Sequence, residues 1–246
     1  MSDHAVVHFE IGGPDGKALQ DFYANLFGWT VNADNPMNYG LVFKMDGGIG
    51  GGIVTPHFGS RERFVTIYAT CGDDVAGMLD KAVSLGATKE IDVMTPPVGP
   101  TLAAFADPDG NLVGLVSGSS TEAPPMTGGG DPVSWFEIAG SDGAKTQDFY
   151  RKLFDWEINA DNEMQYGETM AIGNGIGGGI FGGMGDPRVT IYAEVGNLEE
   201  KVARANELGG VTLMEPMAVP GGPTIATIGD PAGNATGMIL RGTAAG

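Results

Sequence analysis

Two short strand-like segments carry side chains that could bind or transform a small molecule. In the first, VVHFEI, the polar residues His8 and Glu10 alternate with apolar ones. Because successive side chains of a strand point to opposite faces, His8 and Glu10 share one face, and Phe9 and Ile11 share the other. A histidine beside a carboxylate can transfer protons, and an imidazole ordinarily titrates near neutral pH. We therefore predict His8 and Glu10 as the catalytic candidates, with His8 as the proton carrier.

Further aromatic and polar side chains follow the same alternation in other segments. An aromatic wall that also carries hydroxyl groups and a carboxylate suits the orientation of a small organic molecule, and methionines are soft enough to line a variable pocket. The predicted ligand-binding residues are Met37, Tyr39, Thr66, Tyr68, Trp135, Glu137, Met164, Tyr166, Thr190 and Tyr192.

These residues also have a purely structural interpretation. Glu10 and Glu137 could satisfy backbone amides or an arginine at a narrow barrel mouth, and His8 could be a hydrogen-bonded polar residue. Tyr68 and Tyr192 could belong to the core, with their hydroxyl groups at the rim. The methionines of the two DN-x-M-x-YG segments could plug one end of the barrel. The sequence leaves both interpretations open.

The candidate residues occur in pairs because the chain contains an internal duplication. Shifting the sequence by 127 residues aligns Val6–Ile53 with Val133–Ile180, and 27 of these 48 positions are identical. The segment VTIYA then recurs at 65–69 and 189–193, and DPDGN at 107–111 recurs as DPAGN at 230–234. Such self-similarity indicates two copies of one structural unit.

Each copy reads twice as a strand, a helix and three further strands. Asp15 can cap the first helix, whose apolar residues lie at helical spacing. The pattern predicts an α+β fold of four βαβββ modules, which form two curved, open-barrel mixed sheets with the helices outside. The predicted domains are residues 1–118 and 131–246. The Ser-, Pro- and Gly-rich segment at 119–130 is the predicted linker.

Composition and charge exclude several classes of function. The chain of 246 residues has a net charge of −18, which disfavours binding to nucleic acid. Its N-terminal segment has no cationic region and no apolar run long enough for a signal peptide or a membrane span, so we expect a cytoplasmic protein without membrane contact. One cysteine allows no intramolecular disulfide and no cysteine-based zinc site.

These patterns resemble the vicinal oxygen chelate superfamily, which includes glyoxalase I, bleomycin-resistance proteins and extradiol dioxygenases. The resemblance lies in the helix-end motif FYxxLFGW, the DP-x-GN turn before a last strand, and the duplication itself. The chain most resembles two-domain glyoxalase-like proteins. The residues that carry this resemblance are Asp15, Phe22, Tyr23, Leu26, Phe27, Gly28 and Trp29, with Asp142, Phe149, Tyr150, Leu153, Phe154 and Trp156 as their copies.

The resemblance also implies where a metal ion would bind. Metal-binding relatives typically use a histidine in the first strand, a second ligand in the first strand of the next module, and a glutamate in the last strand. Those positions fall on His8, Thr66 and Gly114 in the first copy, and on Trp135, Thr190 and Gly237 in the second. Only His8 can ligate a metal, and all three histidines (His4, His8 and His57) lie in the first half. We therefore expect no metal and no cofactor.

Two classes of function remain. One is a protein that sequesters a small, aromatic or heterocyclic molecule. The other is a metal-independent enzyme of lyase or isomerase type, which transfers protons on a small metabolite. A metal-dependent glyoxalase or dioxygenase is the alternative to both. The divergence between His8 and Trp135 predicts unequal pockets, and the four modules of one chain predict a monomer with an internal pseudo-dimer.

Overall fold

The computed structural model describes residues 3–56, 61–96, 99–118, 127–183 and 185–243. The first half consists of eight strands and two helices in the predicted order. They are β1 (Val6–Gly12), α1 (Gly16–Phe27), β2 (Val31–Asn32), β3 (Gly40–Val42), β4 (Gly50–Val54), β5 (Phe64–Thr70), α2 (Val75–Ser84), β6 (Thr88–Met94), β7 (Leu102–Ala106) and β8 (Leu112–Val116).

The second half repeats this order. Its elements are β9 (Val133–Gly140), α3 (Gly143–Phe154), β10 (Ile158–Asn159), β11 (Gly167–Thr169), β12 (Gly177–Gly182), β13 (Arg188–Val195), α4 (Leu198–Glu207), β14 (Val211–Ala218), β15 (Thr224–Gly229) and β16 (Ala235–Leu240). The predicted succession of four βαβββ modules is confirmed.

Local sequence explains the start and orientation of the helices. The Asp15 side chain accepts a hydrogen bond from the backbone N–H of Ala18 and so caps α1, and Asp142 caps α3 in the same way. The apolar stripe of α1 packs against β3 and β4, so Phe9 and Ile11 are fully buried beneath the helices. His8 and Glu10 lie on the opposite face, as the strand alternation predicted.

Each half forms one eight-stranded mixed sheet. The strand order is β2-β3-β4-β1-β5-β8-β7-β6 in the first sheet, and the second sheet has the equivalent order. The first strands of the two modules, β1 and β5, pair antiparallel at the centre, and β4 and β8 flank them in parallel. Both sheets are therefore mixed and open, and each has one helix-covered face. We call the other face of each sheet its open face.

The two halves meet through their helix-covered sides and share one hydrophobic core. The DP-x-GN turn of each half closes this interface. Tyr150 of α3 donates a hydrogen bond to the Asp107 carboxylate at 2.9 Å, and Tyr23 of α1 donates one to Asp230 at 3.0 Å. The motifs that mark the repeat therefore also join its copies.

The first sheet ends at Val116 and the second begins at Val133. Residues 119–126 of the predicted linker lie outside the described residues, as does His57. Across the described ranges, no helix is long and apolar enough to cross a membrane.

Candidate functional site

The open face of the first sheet brings the predicted catalytic pair together with the residues of β5. His8 is the register partner of Tyr68, and Glu10 is the register partner of Thr66. Paired residues of neighbouring strands share a face, so these four side chains lie on the open face. His8 and Glu10 keep partial solvent exposure, whereas Tyr68 is 5% exposed. The strand alternation therefore predicted this grouping correctly.

A chain of hydrogen bonds connects these side chains through Tyr39. The Tyr39 hydroxyl group lies 2.8 Å from Nε2 of His8 and donates to Oε1 of Glu10 at 2.9 Å. The Tyr68 hydroxyl group donates to Oε2 of the same carboxylate at 2.7 Å. Both oxygens of Glu10 are therefore occupied by phenols. We call His8, Glu10, Tyr39 and Tyr68 the first cluster.

The second half contains an equivalent group in which Trp135 replaces His8. The Trp135 Nε1–H donates to the Tyr166 hydroxyl group at 3.1 Å, and Tyr166 donates to Oε1 of Glu137 at 2.9 Å. Tyr192 donates to Oε2 of Glu137 at 2.6 Å. We call Trp135, Glu137, Tyr166 and Tyr192 the second cluster. The carboxylate with its two phenols is common to both halves, and the side chain whose nitrogen contacts the bridging phenol differs.

Tyr39 comes from a loop, and several contacts fix that loop. The Asn35 side chain accepts from the Tyr39 backbone N–H at 3.0 Å and donates to its carbonyl at 2.7 Å. Gln20 of α1 donates to the Asn38 carbonyl at 3.0 Å, where Asn38 has a left-handed φ of 50°. Asn162, Gln165 and Gln147 repeat these features around Tyr166. The repeat thus preserves the device that positions the bridging phenol.

A glycine gives the bridging phenol its space. A Cβ atom at Gly52 would lie 2.0 Å from the Tyr39 hydroxyl oxygen, and one at Gly179 would lie 1.8 Å from that of Tyr166. Any side chain at these positions would displace the phenol. The glycine-rich segments therefore allow the close approach of a tyrosine side chain.

Burial shifts the protonation equilibria of both clusters. Desolvation lowers the pKa of His8 to about 4, so its imidazole is neutral at pH 7. Desolvation raises the pKa of Glu10 although hydrogen bonds from Tyr68 and Tyr39 oppose the shift, and the pKa of Glu137 is raised for the same reasons. His8 therefore does not keep the near-neutral pKa of an unperturbed imidazole, because the surrounding protein disfavours the imidazolium.

Beside each cluster, the open face continues as an apolar floor. Tyr68, Gly114, Ala104 and Ile91 are successive register partners across β5, β8, β7 and β6. The floor of the first half consists of Ile91, Met94, Leu102, Ala104 and Val116, and that of the second consists of Met214, Met217, Ile225, Thr227 and Ile239. Each open face thus combines a polar cluster with an apolar surface.

Not every predicted ligand-binding residue joins the clusters. Thr66 is 1% exposed, and its hydroxyl group donates to the Leu112 carbonyl at 2.7 Å, so it ties β5 to β8. Thr190 is also buried. Met37 and Met164 are 49% and 59% exposed, which does not fit the alternative that they plug the sheet. They lie outside both hydrogen-bonded clusters.

Two residues of the second open face were missed by the sequence reasoning. Glu168 is the register partner of Gly179, beneath the Tyr166 hydroxyl group, and Leu41 occupies this position in the first half. Arg188 lies on the open face where the first half has Phe64, and its charge lowers the pKa of Glu137. The alignment of the two copies could have identified both residues, because each is charged where the first copy has an apolar residue.

A surface cleft of about 390 Å³ lies between the halves, away from both open faces. The DPDGN turn and α3 line it, and its two lysines, Lys145 and Lys152, form ion pairs with Asp142 and Asp148. It shares no residue with either cluster and is therefore a separate candidate location for a ligand.

Comparison with known proteins agrees with this architecture. Residues 8–116 match the family profile described as "Glyoxalase-like domain". The chain is 26% identical to the anthracycline biosynthesis protein DauV of Streptomyces sp. (strain C5), over 87% of this chain and 85% of that protein.

Solved structures share the fold at low sequence identity. The 2,3-dioxygenase LapB of Pseudomonas sp. KL28 has a TM-score of 0.67 at 11% identity, covering 100% of this chain and 95% of that one. The Mn(II)-bound glyoxalase of Novosphingobium aromaticivorans has a TM-score of 0.64 at 14% identity, covering 98% and 83%. Residues 8–116 are therefore a glyoxalase-like domain, and the chain as a whole shares the fold of these dioxygenase and glyoxalase structures.

The metal ion that this fold often holds does not fit the residues present. Of the positions that the resemblance assigns to ligands, Thr66 uses its hydroxyl group within the sheet, and Gly114 has no donor. The Tyr68 ring fills the space at Gly114, where a Cβ atom would lie 2.2 Å from that ring. Among the described residues, no group of three His, Cys, Asp or Glu side chains could hold a metal ion. The tyrosine that binds Glu10 thus occupies the place of the third ligand.

Proposed function

We propose that this protein binds a small, flat aromatic molecule on the open faces of its two sheets and sequesters it without a resident metal ion. The observation that carries the proposal is the division of each open face into a polar cluster and a partly exposed apolar floor. A flat ring system can lie on the floor while its polar edge meets the cluster. Binding sites for small molecules commonly combine an apolar surface with a few fixed polar groups.

The relatives support the aromatic character of the ligand. The protein DauV is named for anthracycline biosynthesis, and anthracyclines contain a flat, polycyclic, hydroxylated ring system. A hydroxylated ring edge could exchange hydrogen bonds with the polar cluster. The net charge of −18 further favours neutral or cationic ligands over anionic ones.

The state of the clusters favours sequestration over catalysis. A histidine whose pKa lies at about 4 is a weak base at neutral pH. Both oxygens of Glu10 already accept hydrogen bonds, and Trp135 can neither accept nor release a proton in the second half. The clusters are therefore better suited to orient a ligand than to change it.

Calorimetry with 2-hydroxyanthraquinone tests this proposal. We expect binding to the wild-type protein at two unequal sites. Ile91→Lys places a charge on the first floor and Met214→Lys places one on the second, and each variant should weaken binding at its own site at least tenfold. Val83→Lys is the matched control, because Val83 is 42% exposed on α2 and lies on neither floor, and it should bind normally. Unchanged binding in both floor variants would contradict the proposal.

Elemental analysis tests the metal-independent part. The purified protein should contain less than one Ni, Zn, Fe or Mn ion per ten chains, and added chelator should leave binding of 2-hydroxyanthraquinone unchanged. One tightly held ion per chain that survives His8→Ala would contradict it.

Proton-transfer catalysis is the second candidate, and the contact between His8, Tyr39 and Glu10 favours it. Three titratable groups in direct hydrogen-bond contact could pass a proton to or from a ligand. Incubation of 1-tetralone in D₂O, followed by NMR, would report exchange of its α-protons. Exchange that the protein accelerates and His8→Ala abolishes would establish this candidate, and exchange at the buffer rate would exclude it for this substrate class.

A further inference from the structure

The second cluster reveals the direction of the hydrogen bonds in the first. An indole Nε1–H can only donate, so the bond between Trp135 and Tyr166 runs from nitrogen to phenol oxygen. Tyr166 then donates its own hydrogen to Glu137. With Glu137 ionised, the order is therefore N–H to phenol to carboxylate.

The first cluster has the same geometry with His8 in the place of Trp135. Nε2 of His8 lies 2.8 Å from the Tyr39 oxygen, and Tyr39 donates its single hydrogen to Glu10 at 2.9 Å. When Glu10 is ionised, the phenol gives its one hydrogen to the carboxylate, so Nε2 of His8 carries the proton that fills the remaining bond. The burial that keeps this imidazole neutral leaves one proton on the ring, so Nδ1 is an unprotonated acceptor.

Nδ1 of His8 is also available to a ligand. Within the described part of the chain, this nitrogen has no hydrogen-bond partner. It is also not completely buried. An acceptor that is neither paired nor fully buried can receive a hydrogen bond from outside the protein. Trp135 offers no such acceptor, because its indole has only the one polar atom and that atom donates to Tyr166.

We propose that Tyr39 fixes His8 as the Nε2–H tautomer, so that the free Nδ1 lets the first half select an aromatic ligand with a hydrogen-bond donor, a selection that Trp135 cannot make in the second half. This inference rests on the proposed function for its ligand class. It adds the atom that recognises the ligand, the residue that positions that atom, and a reason for the unequal sites.

The tautomer is measured without any ligand. Long-range ¹H–¹⁵N spectra of histidine-labelled protein distinguish a protonated from an unprotonated ring nitrogen, and the signals absent from His8→Trp identify His8. We expect protonated Nε2 and unprotonated Nδ1 in the wild-type protein. Tyr39→Phe should release this preference and give a mixture of tautomers. Tyr166→Phe is the matched control in the other half and should leave the His8 signals unchanged.

The selectivity is measured in the Met214→Lys background. Because this substitution weakens binding at the second site, the measured binding is that of the first half. We expect 2-hydroxyanthraquinone to bind about tenfold more tightly than 2-methoxyanthraquinone, since the ether cannot donate to Nδ1. Adding His8→Trp should abolish this ratio and leave binding of the ether within about twofold.

The outcomes separate the inference from the function on which it rests. A His8 protonated on Nδ1, or a ratio that persists in His8→Trp, would overturn the inference while binding itself still stood. A failure of both anthraquinones to bind, with the tautomer as expected, would overturn the proposed function and the ligand selection together.

Discussion

The two halves of this protein show which parts of a duplicated site are scaffold and which are free to diverge. Both halves retain the glutamate, its two phenol donors, the glycine beneath the bridging phenol and the loop contacts that hold it. The surroundings of this common centre differ. His8, Leu41, Phe64 and Ala104 of the first half correspond to Trp135, Glu168, Arg188 and Thr227 of the second.

This contrast explains why Glu10 and Glu137 are poor candidates for the groups that determine ligand specificity. Glu10 and Glu137 are each satisfied by two tyrosines in the same geometry, so they organise the open face. The differing residues surround that common centre with an imidazole and apolar groups in one half, and with an indole, charges and a hydroxyl group in the other. The copies therefore share a framework and differ in the polarity of the open face around it.

The largest expected effect tests a feature in which the halves are alike. Asp107→Ala removes the acceptor for Tyr150 and for the donors of Asn111 at the buried interface, and Asp230→Ala does the same on the other side. Each should lower the free energy of unfolding by about 3 kcal/mol, because buried donors lose their partner. Urea denaturation should give similar values and one transition for both variants. A loss confined to one half would contradict the shared core.

Conversion of one cluster into the other sharpens the comparison. Trp135→His should keep a donor to Tyr166 and add a free ring acceptor, so the second site should gain a preference of about tenfold for 2-hydroxyanthraquinone over its methyl ether. Calorimetry in the Ile91→Lys background isolates this site. Trp135→Phe, which supplies neither donor nor acceptor, is the control and should show no such preference.

Replacement of the central carboxylates should have a smaller and pH-dependent effect. In Glu10→Gln the amide nitrogen, which is a donor, faces a phenol that also donates. The loss of this hydrogen bond should lower the free energy of unfolding by about 1–2 kcal/mol. Because burial raises the pKa of Glu10, the folded state holds this proton more tightly than the unfolded state. The stability that Glu10 contributes is therefore greatest below its unfolded pKa and declines as pH rises through the folded value.

The cost of Glu10→Gln should accordingly be greatest near pH 4 and decrease toward pH 8. Thermal unfolding over this range measures it, with Glu137→Gln as the counterpart in the second half. A cost that grows with pH in both variants would mean that the carboxylates are stabilised as anions.

The smallest expected effect concerns Arg188, a cation on the second open face. Arg188 is exposed, yet its charge lowers the pKa of Glu137. Arg188→Ala should therefore raise the pKa of Glu137 slightly, as measured by ¹³C NMR of the side-chain carboxyl group. Phe64→Ala at the equivalent position should leave the pKa of Glu10 unchanged.

Much of this arrangement could be predicted from the sequence, because it depends on local periodicity. The two-residue period of β1 placed His8 and Glu10 on one face, and the repeat transferred that result to Trp135 and Glu137. The same period in β5 added Tyr68. The order of all four modules followed from the alternation of strand-like and helix-like segments.

The connection through Tyr39 could not be predicted in this way. Tyr39 lies in a loop, and its hydroxyl group reaches Glu10 only because Asn35, Gln20 and the missing side chain of Gly52 together shape its path. The contacts that involve Gln20, Gly52 and Glu10 join residues far apart in the sequence. The pKa of His8 likewise depends on how completely the folded protein surrounds the imidazole, which no residue pattern records.

The most direct test of ligand binding on the open faces is a titration of methyl-labelled protein with 2-hydroxyanthraquinone. Met94, Met214 and Met217 lie on the apolar floors, whereas Met45 and Met238 are buried in the core. In ¹³C–¹H spectra of methionine-labelled protein, we predict that the three floor methyl signals shift with ligand and the two core signals do not. Ligand binding by calorimetry with all three floor signals unmoved would place the ligand elsewhere, such as the cleft between the halves, and would contradict this account.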